Sequence, residues 1–125
     1  MYMEKPKIQH FTDLNAWKES HKLVLAIYVA TKTFPQDEKF CLTSQIRRAA
    51  ISIVSNIAEG FGRNTAKDKA QFYAIAKGST LEVEGQLLVA RDLNYLNEDN
   101  FQNVQKQILI VQKLLSGLVA SAMNR

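Results

Sequence analysis

From Phe101 to Ala122 the apolar residues Phe101, Val104, Ile108, Val111, Leu115, Leu118 and Ala122 recur at spacings of three and four without a break. An α-helix turns once every ~3.6 residues, so this spacing puts hydrophobic side chains along one face. A half-buried strand would alternate by two. The same helical period runs through the rest of the chain and excludes a sheet protein. Five glycines and two prolines in 125 residues point the same way, because folds with many tight turns use more of both.

Three further helical segments are expected. The first follows a polar tail over residues 1–11, with Thr12 or Asp13 as its cap. Its apolar positions are Leu14, Trp17, Val24, Ile27, Tyr28 and Thr31, with a gap near His21. Phe34-Pro35 closes it, since the residue before a proline is pushed out of helical geometry. The second runs from about Glu38 to Gly60, striped by Leu42, Ile46, Ala49 or Ala50, Ile53 and Ile57. Its alternative start is Thr43 or Ser44, with Gln36–Phe40 as a separate turn. Gly60 and Gly62 are expected as its C-terminal cap and loop.

The third segment opens at Thr65 and Asp68, a capping box with Asp in place of Glu. It carries Phe72, Ala76, Ser79, Val83, Leu87 and Ala90 to about Asn94, a helix of ~30 residues and ~45 Å. Gly78 and Gly85 weaken this helix unless another helix approaches them closely. Asn97 caps the fourth segment, with Glu98 and Asp99 in its first turn. Ile110, Leu114 and Val119 lie outside the seam of that helix, as a broad core-facing stripe or as a surface for self-association. The connections Phe34–Asp37, Phe61–Asn64 and Tyr95–Asn97 are short, which forces antiparallel neighbours. The expected fold is all-α, an up-down-up-down four-helix bundle over residues 12–124.

The composition, 46% hydrophobic and 22% charged, suits one globular domain. No apolar run reaches the 18 residues of a membrane span, and Met1–Gln9 lacks the apolar core of a secretory signal. One cysteine allows no internal disulfide. A cytoplasmic protein is expected, with no membrane partner. The net charge is +4, and the excess lies in residues 39–91. There Lys39, Arg47, Arg48, Arg63, Lys67, Lys69, Lys77 and Arg91 face Glu59, Asp68, Glu82 and Glu84. This is the footprint of a polyanion site or a solvated basic surface.

The residues for catalysis or metal binding are sparse. A di-iron bundle needs Glu-x-x-His pairs, and neither His10 nor His21 has Glu three positions before it. His21 reads as a partly buried, hydrogen-bonded side chain, and Cys41, between Phe40 and Leu42, as a packed small hydrophobe. Gly60-Phe61-Gly62-Arg63 resembles the start of a phosphate loop. It follows a helix and lacks the third glycine, so a helix–helix turn accounts for it better. The start of the third helix, with Arg63, Lys67 and Lys69 around it, is a candidate phosphate contact. Gln45, Arg48, Ser52, Asn56 and Glu59 on the second helix, and Ser79, Glu82 and Gln86 on the third, read as a structural polar network. Glu59 and Glu82 could be paired for acid–base work, but the network is the simpler account. No enzyme, cofactor or metal is expected.

Several motifs stand in order: Phe11-x-Asp13-Leu14-x-Ala16-Trp17-Lys18, Phe34-Pro35-x-x-Glu38, Leu42-Thr43-x-Gln45-Ile46-Arg47-Arg48-Ala49-Ala50-x-Ser52-Ile53, Asn56-Ile57-Ala58-Glu59-Gly60-x-Gly62-Arg63 and Phe72-x-x-Ile75-Ala76-x-Gly78-Ser79. Together, over about Phe11 to Leu118, they resemble the bacterial four-helix-bundle proteins encoded within intervening sequences of 23S ribosomal RNA genes. Val54-Ser55 and Thr80 depart mildly from the family pattern. The resemblance implies a homopentameric ring, similar to the basic accessory protein of diversity-generating retroelements, which binds nucleic acid and a reverse transcriptase. Five copies of the excess charge would attract polyanions far more strongly than one.

The expected function is therefore a non-enzymatic oligomer that binds nucleic acid, RNA before DNA. Arg47, Arg63, Lys67, Lys69, Lys77 and Arg91 would contact phosphates, and Arg48 belongs to the network. No aromatic single-strand platform is visible in the sequence. The alternative is an oligomeric scaffold that holds a protein partner.

Overall fold

The computed structural model describes residues 7–124, and among them every regular element is helical. The long helices are α1 (Asn15–Ala30), α2 (Leu42–Phe61), α3 (Ala66–Asp92) and α4 (Glu98–Met123), with 3-10 turns at Phe11–Asp13, Thr31–Thr33 and Gln36–Glu38. Each long helix packs on the next, and α4 returns to α1, so the four form a bundle around one core. Residues 1–6 of the expected tail lie outside the described residues.

Each apolar stripe becomes a wall of the core. Leu23 and Ile27 of α1, Ile46, Ile53 and Ile57 of α2, Val83 and Leu87 of α3, and Ile108, Val111 and Leu115 of α4 are fully buried. The gap near His21 in the first stripe is filled by Ser20, which is buried. His21 itself is exposed and stacks on Trp17, which corrects the expectation of a partly buried, hydrogen-bonded side chain. Cys41 is exposed too, next to an 86% exposed Phe40. Its place just ahead of α2 puts it outside the core.

The helix ends follow local chemistry. Thr65 Oγ1 accepts from Asp68 N at 3.1 Å, the N-cap half of the expected capping box, and Asn97 Oδ1 accepts from Asn100 N at 2.8 Å as expected. Neither Thr12 nor Asp13 caps α1, whose N-cap Leu14 has no side-chain bond. Asp13 instead closes the preceding turn: its Oδ2 accepts from Gln9 N and His10 N, each at 3.0 Å. Gln36–Glu38 is a separate turn ahead of α2, close to the second alternative, and α2 itself starts at Leu42, one residue before Thr43. Helix α3 stops through Asn94, the one non-glycine residue with positive φ (62°) among the described residues. Asn tolerates that conformation, which lets Tyr95 N reach Ala90 O at 2.9 Å.

Two glycine expectations are corrected. Gly60 is buried inside α2 rather than capping it, and an added Cβ there would sit 2.8 Å from Tyr73 Cε1. Close packing of α2 on α3, not backbone freedom, calls for glycine at this position. Gly62 holds the cap position at an ordinary φ of −79°. Gly78 and Gly85 face open space, so no helix of the same chain approaches them.

The helix ends gather into two poles. At one, Ile8, Leu14, Phe61, Lys69, Tyr73, Leu118 and Ala122 line one cavity, bringing together the start of α1, the end of α2, the start of α3 and the end of α4. At the other, Thr33 Oγ1 donates to Tyr95 O at 2.9 Å and Tyr95 Oη donates to Glu38 Oε2 at 2.7 Å. The second bond, with burial adding to it, raises the Tyr95 phenol above its ordinary pKa.

Candidate nucleic-acid interface

The six cations expected to hold phosphate do not share one face. Arg47 is half-buried and turned toward α1: its Nε donates to Thr31 Oγ1 at 2.8 Å, and its guanidinium lies 4.6 Å from the Tyr28 ring centre. Its Nη2 also reaches Tyr28 O at 3.5 Å, so its charge is spent on the carboxyl end of α1. Lys69 Nζ donates to Phe61 O at 2.5 Å and does the same for α2. Arg91 is half-buried, lies 4.6 Å from the Phe101 ring centre, and binds Asp92 at 3.0 Å.

Arg63, Lys67 and Lys77 are exposed. Arg63 lies 4.5 Å from the Phe72 ring centre and pairs loosely with Glu59 at 3.4 Å, an arrangement that leaves much of the guanidinium open to solvent. Lys67 stands in the first turn of α3. From Lys67 to Arg91 the helix rises about 36 Å. The set therefore divides into a group at the α2–α3 turn, a mid-helix Lys77, and residues bound into the far pole.

The polar network divides as well. Ser52 and Ser79 share a hydrogen bond of 2.9 Å, Asn56 Nδ2 donates to Ser52 O and Oγ, and Gln86 Nε2 donates to Gln45 Oε1 at 3.4 Å. These residues form a polar seam between α2 and α3. Arg48, Glu59 and Glu82 are not part of it. Arg48 is exposed with no ion-pair partner among the described residues, which corrects its assignment to the network and adds it to the accessible cations. Glu59 pairs with Arg63, and Glu82 is exposed on the rim of a groove it shares with Arg48. The two carboxylates stand apart, so no acid–base pair forms. Among the described residues no group of three or more His, Cys, Asp or Glu side chains comes together to hold a metal.

Folding sorts the charge by pole. The pole where α1 starts gathers Lys7, Lys18, Lys22, Arg63, Lys67 and Lys69, with Lys113 nearby on α4. Three of the acids at this pole are engaged. Asp13 holds the amides of Gln9 and His10, bonds that lower its carboxyl below the ordinary value. Glu19 is bridged by Lys22 at 2.9 Å, a bond that lowers it likewise, and Glu59 by Arg63. The opposite pole carries Asp37, Glu38, Asp92, Glu98 and Asp99 against Lys32, Lys39, Arg47 and Arg91.

The chain matches the family described as 23S rRNA-intervening sequence protein over residues 12–117. It belongs to that family. Among solved structures it is similar to a protein of unknown function from the S23 ribosomal protein family of Bacteroides thetaiotaomicron, determined at 1.70 Å resolution. The two are 22% identical and superpose with a TM-score of 0.77, over 84% of this chain and 95% of that one. That likeness establishes the fold. Comparison with curated proteins gives no match.

In this family member, the sequence reading missed the cations outside residues 39–91. Lys18 and Lys113 are exposed and form no ion pair among the described residues, yet they lie in segments whose local charge balances. Chain-wise charge counting cannot find them, because it sums acids that the fold occupies elsewhere. The reading also missed a row of rings on the outside of α1. His10 lies 4.2 Å from Phe11, Phe11 5.6 Å from Trp17, and Trp17 4.9 Å from His21. The residues 17 and 21, one helical turn apart, were the signal for part of it. No helix of the described residues is long and apolar enough to cross a membrane.

Proposed function

We propose that the protein is a non-enzymatic, cytoplasmic helical-bundle protein that assembles with copies of itself and binds nucleic acid, with RNA as the first ligand. The observation that carries this reading is the concentration of accessible cations at one pole, where Arg63, Lys67 and Lys18 stand around the start of α3 and α1. Such a surface attracts a phosphate backbone by charge and shape. Arg47, Lys69 and Arg91 serve the fold in this reading, and Arg48 and Lys77 extend the basic surface along the bundle. The helices run up-down-up-down, a reading supported by the pairing of Gln45 with Gln86 and Ser52 with Ser79. The family resemblance favours a homopentamer. The family's description names where its genes lie and gives no weight to ribosomal RNA as the ligand.

The test is a titration of a labelled structured RNA at two salt concentrations, followed by anisotropy. Micromolar or tighter binding that falls steeply with salt is expected, and Arg63→Glu with Lys67→Glu weakens it without changing the particle mass. No binding at low salt overturns the reading and moves a second one to first place. That reading is an oligomeric scaffold for a protein partner. It is favoured by the outer face of α3, where Leu81 is 57% exposed and Ile75, Leu88 and Val89 are also exposed beside Gly78 and Gly85.

A further inference from the structure

The row of rings on α1 ends in a pocket. About 480 Å³ of open space lies against Trp17, His21 and Leu114, with Asn15, Lys18 and Lys22 on its rim. That volume is within the ~300–1,000 Å³ range of small-ligand sites. The Trp17 and His21 rings are stacked nearly parallel, 12° apart and 4.9 Å between centres, so the outer face of His21 is the open end of the stack. Trp17 packs against the core, whereas His21 is exposed. Leu114 of α4 is the apolar lining on the opposite side. Asn15 is exposed, and its side-chain amide makes no hydrogen bond among the described residues.

The charges on the rim complete the site. Lys18 is exposed and forms no ion pair among the described residues. Glu19, the one acid of the lining among the described residues, is bridged by Lys22 at 2.9 Å, so its repulsion of an anion is offset. The pocket thus combines flat rings, an apolar wall, an amide with free donor and acceptor, and an accessible ammonium. An unpaired nucleobase offers a π-face that extends the stack on His21 and an edge for the amide, and its flanking phosphates suit the lysine. A duplex keeps its bases stacked on one another and offers no π-face along its length.

We propose that the Trp17–His21 pocket holds an unpaired base of a single-stranded nucleic acid, with Asn15 against the base edge and Lys18 on an adjoining phosphate. This rests on the nucleic-acid reading and deepens it, by naming single-stranded segments as what the α1 side of the basic pole takes.

Trp17 is the single tryptophan of the chain, so its emission reports on this pocket alone. The experiment titrates the full chain with a labelled ten-residue oligouridylate and follows label anisotropy and tryptophan emission together. Emission is expected to fall and to saturate with the anisotropy. His21→Ala weakens binding about fivefold or more, as the loss of one stacking contact does. Lys18→Ala lowers the log–log salt slope by about 0.7, the share of one single-strand phosphate. Both sites are exposed, and a circular-dichroism melt of each variant checks that the fold persists. Anisotropy that rises with unchanged emission overturns this site and leaves nucleic-acid binding intact. Equal quenching by a duplex, or by adenosine monophosphate at the same concentration, overturns the assignment to an unpaired base in a strand. No change in either signal at low salt overturns both readings.

Discussion

Gly60 and Gly117 are both helical glycines, and the surroundings give them opposite values. At Gly60 a methyl group would meet Tyr73 Cε1 at 2.8 Å and Phe72 Cβ at 3.0 Å, and Tyr73 is itself buried. Gly60→Ala is expected to cost about 1–3 kcal/mol in a denaturant melt, since an overpacked site has to shift ring and backbone. Gly117 faces open space, so Gly117→Ala should leave the fold intact and stabilise it by up to ~1 kcal/mol through helix propensity. Asp13 is the other residue whose role is set by its immediate partners. Its carboxyl is lowered by the backbone amides of Gln9 and His10. A lowered folded-state value means that the carboxylate stabilises the fold above the ordinary Asp range and loses that effect as pH falls through the lowered value. The amide resonances of Gln9 and His10 should therefore shift together only under acid, below the ordinary Asp titration. Asp13→Asn should abolish that titration.

At the scale of the element, α3 shows how caps and packing divide the labour. Its start is fixed locally: Thr65 accepts from Asp68 N, and Thr65→Ala should cost about 1 kcal/mol, measured as a lower midpoint in urea. Its end is fixed by Asn94 in the left-handed region and the Tyr95 N to Ala90 O bond. Its middle is held by neither. There Val83 and Leu87 are buried on one side, and the Ser52–Ser79 bond ties it to α2. Helix α4 divides its surplus in the same manner. Leu114 and Val119 are partly buried against the core clusters, while Ile110 is 43% exposed. Of the apolar surplus expected for self-association, Ile110 remains available, and α3 adds a larger surface.

For the whole molecule, the apolar outer face of α3 and the basic pole make separable claims. Leu81 lies on that face, away from the core and from the cations at the α2–α3 turn. In the oligomer proposed here, Leu81→Asp should reduce the mass seen by light scattering toward that of one chain, with helicity retained. An unchanged mass would remove α3 from the assembly surface. Where the mass falls, affinity for a long RNA falls with it because fewer basic poles act together, and the affinity of a single pole for a short strand persists.

The sequence by itself determined the helices. Period, caps and breakers are local, and the stripe Phe101–Ala122, the Thr65 and Asn97 caps and the short connections all act within a turn or two of their own position. The pattern of motifs from Phe11 to Leu118 likewise identified the family. The functional surface was a different matter. Arg47 and Arg63 look alike in the chain, yet one is bound to the carboxyl end of α1 and the other is open to solvent. The sequence puts His21 on the stripe side of the first helix, which suggests partial burial, yet Ser20 takes the core position and His21 is exposed. Which cations are free, which acids are occupied, and which glycines are crowded depend on what lies across the bundle. Those contacts join residues distant in sequence, and only the packing of four helices decided them.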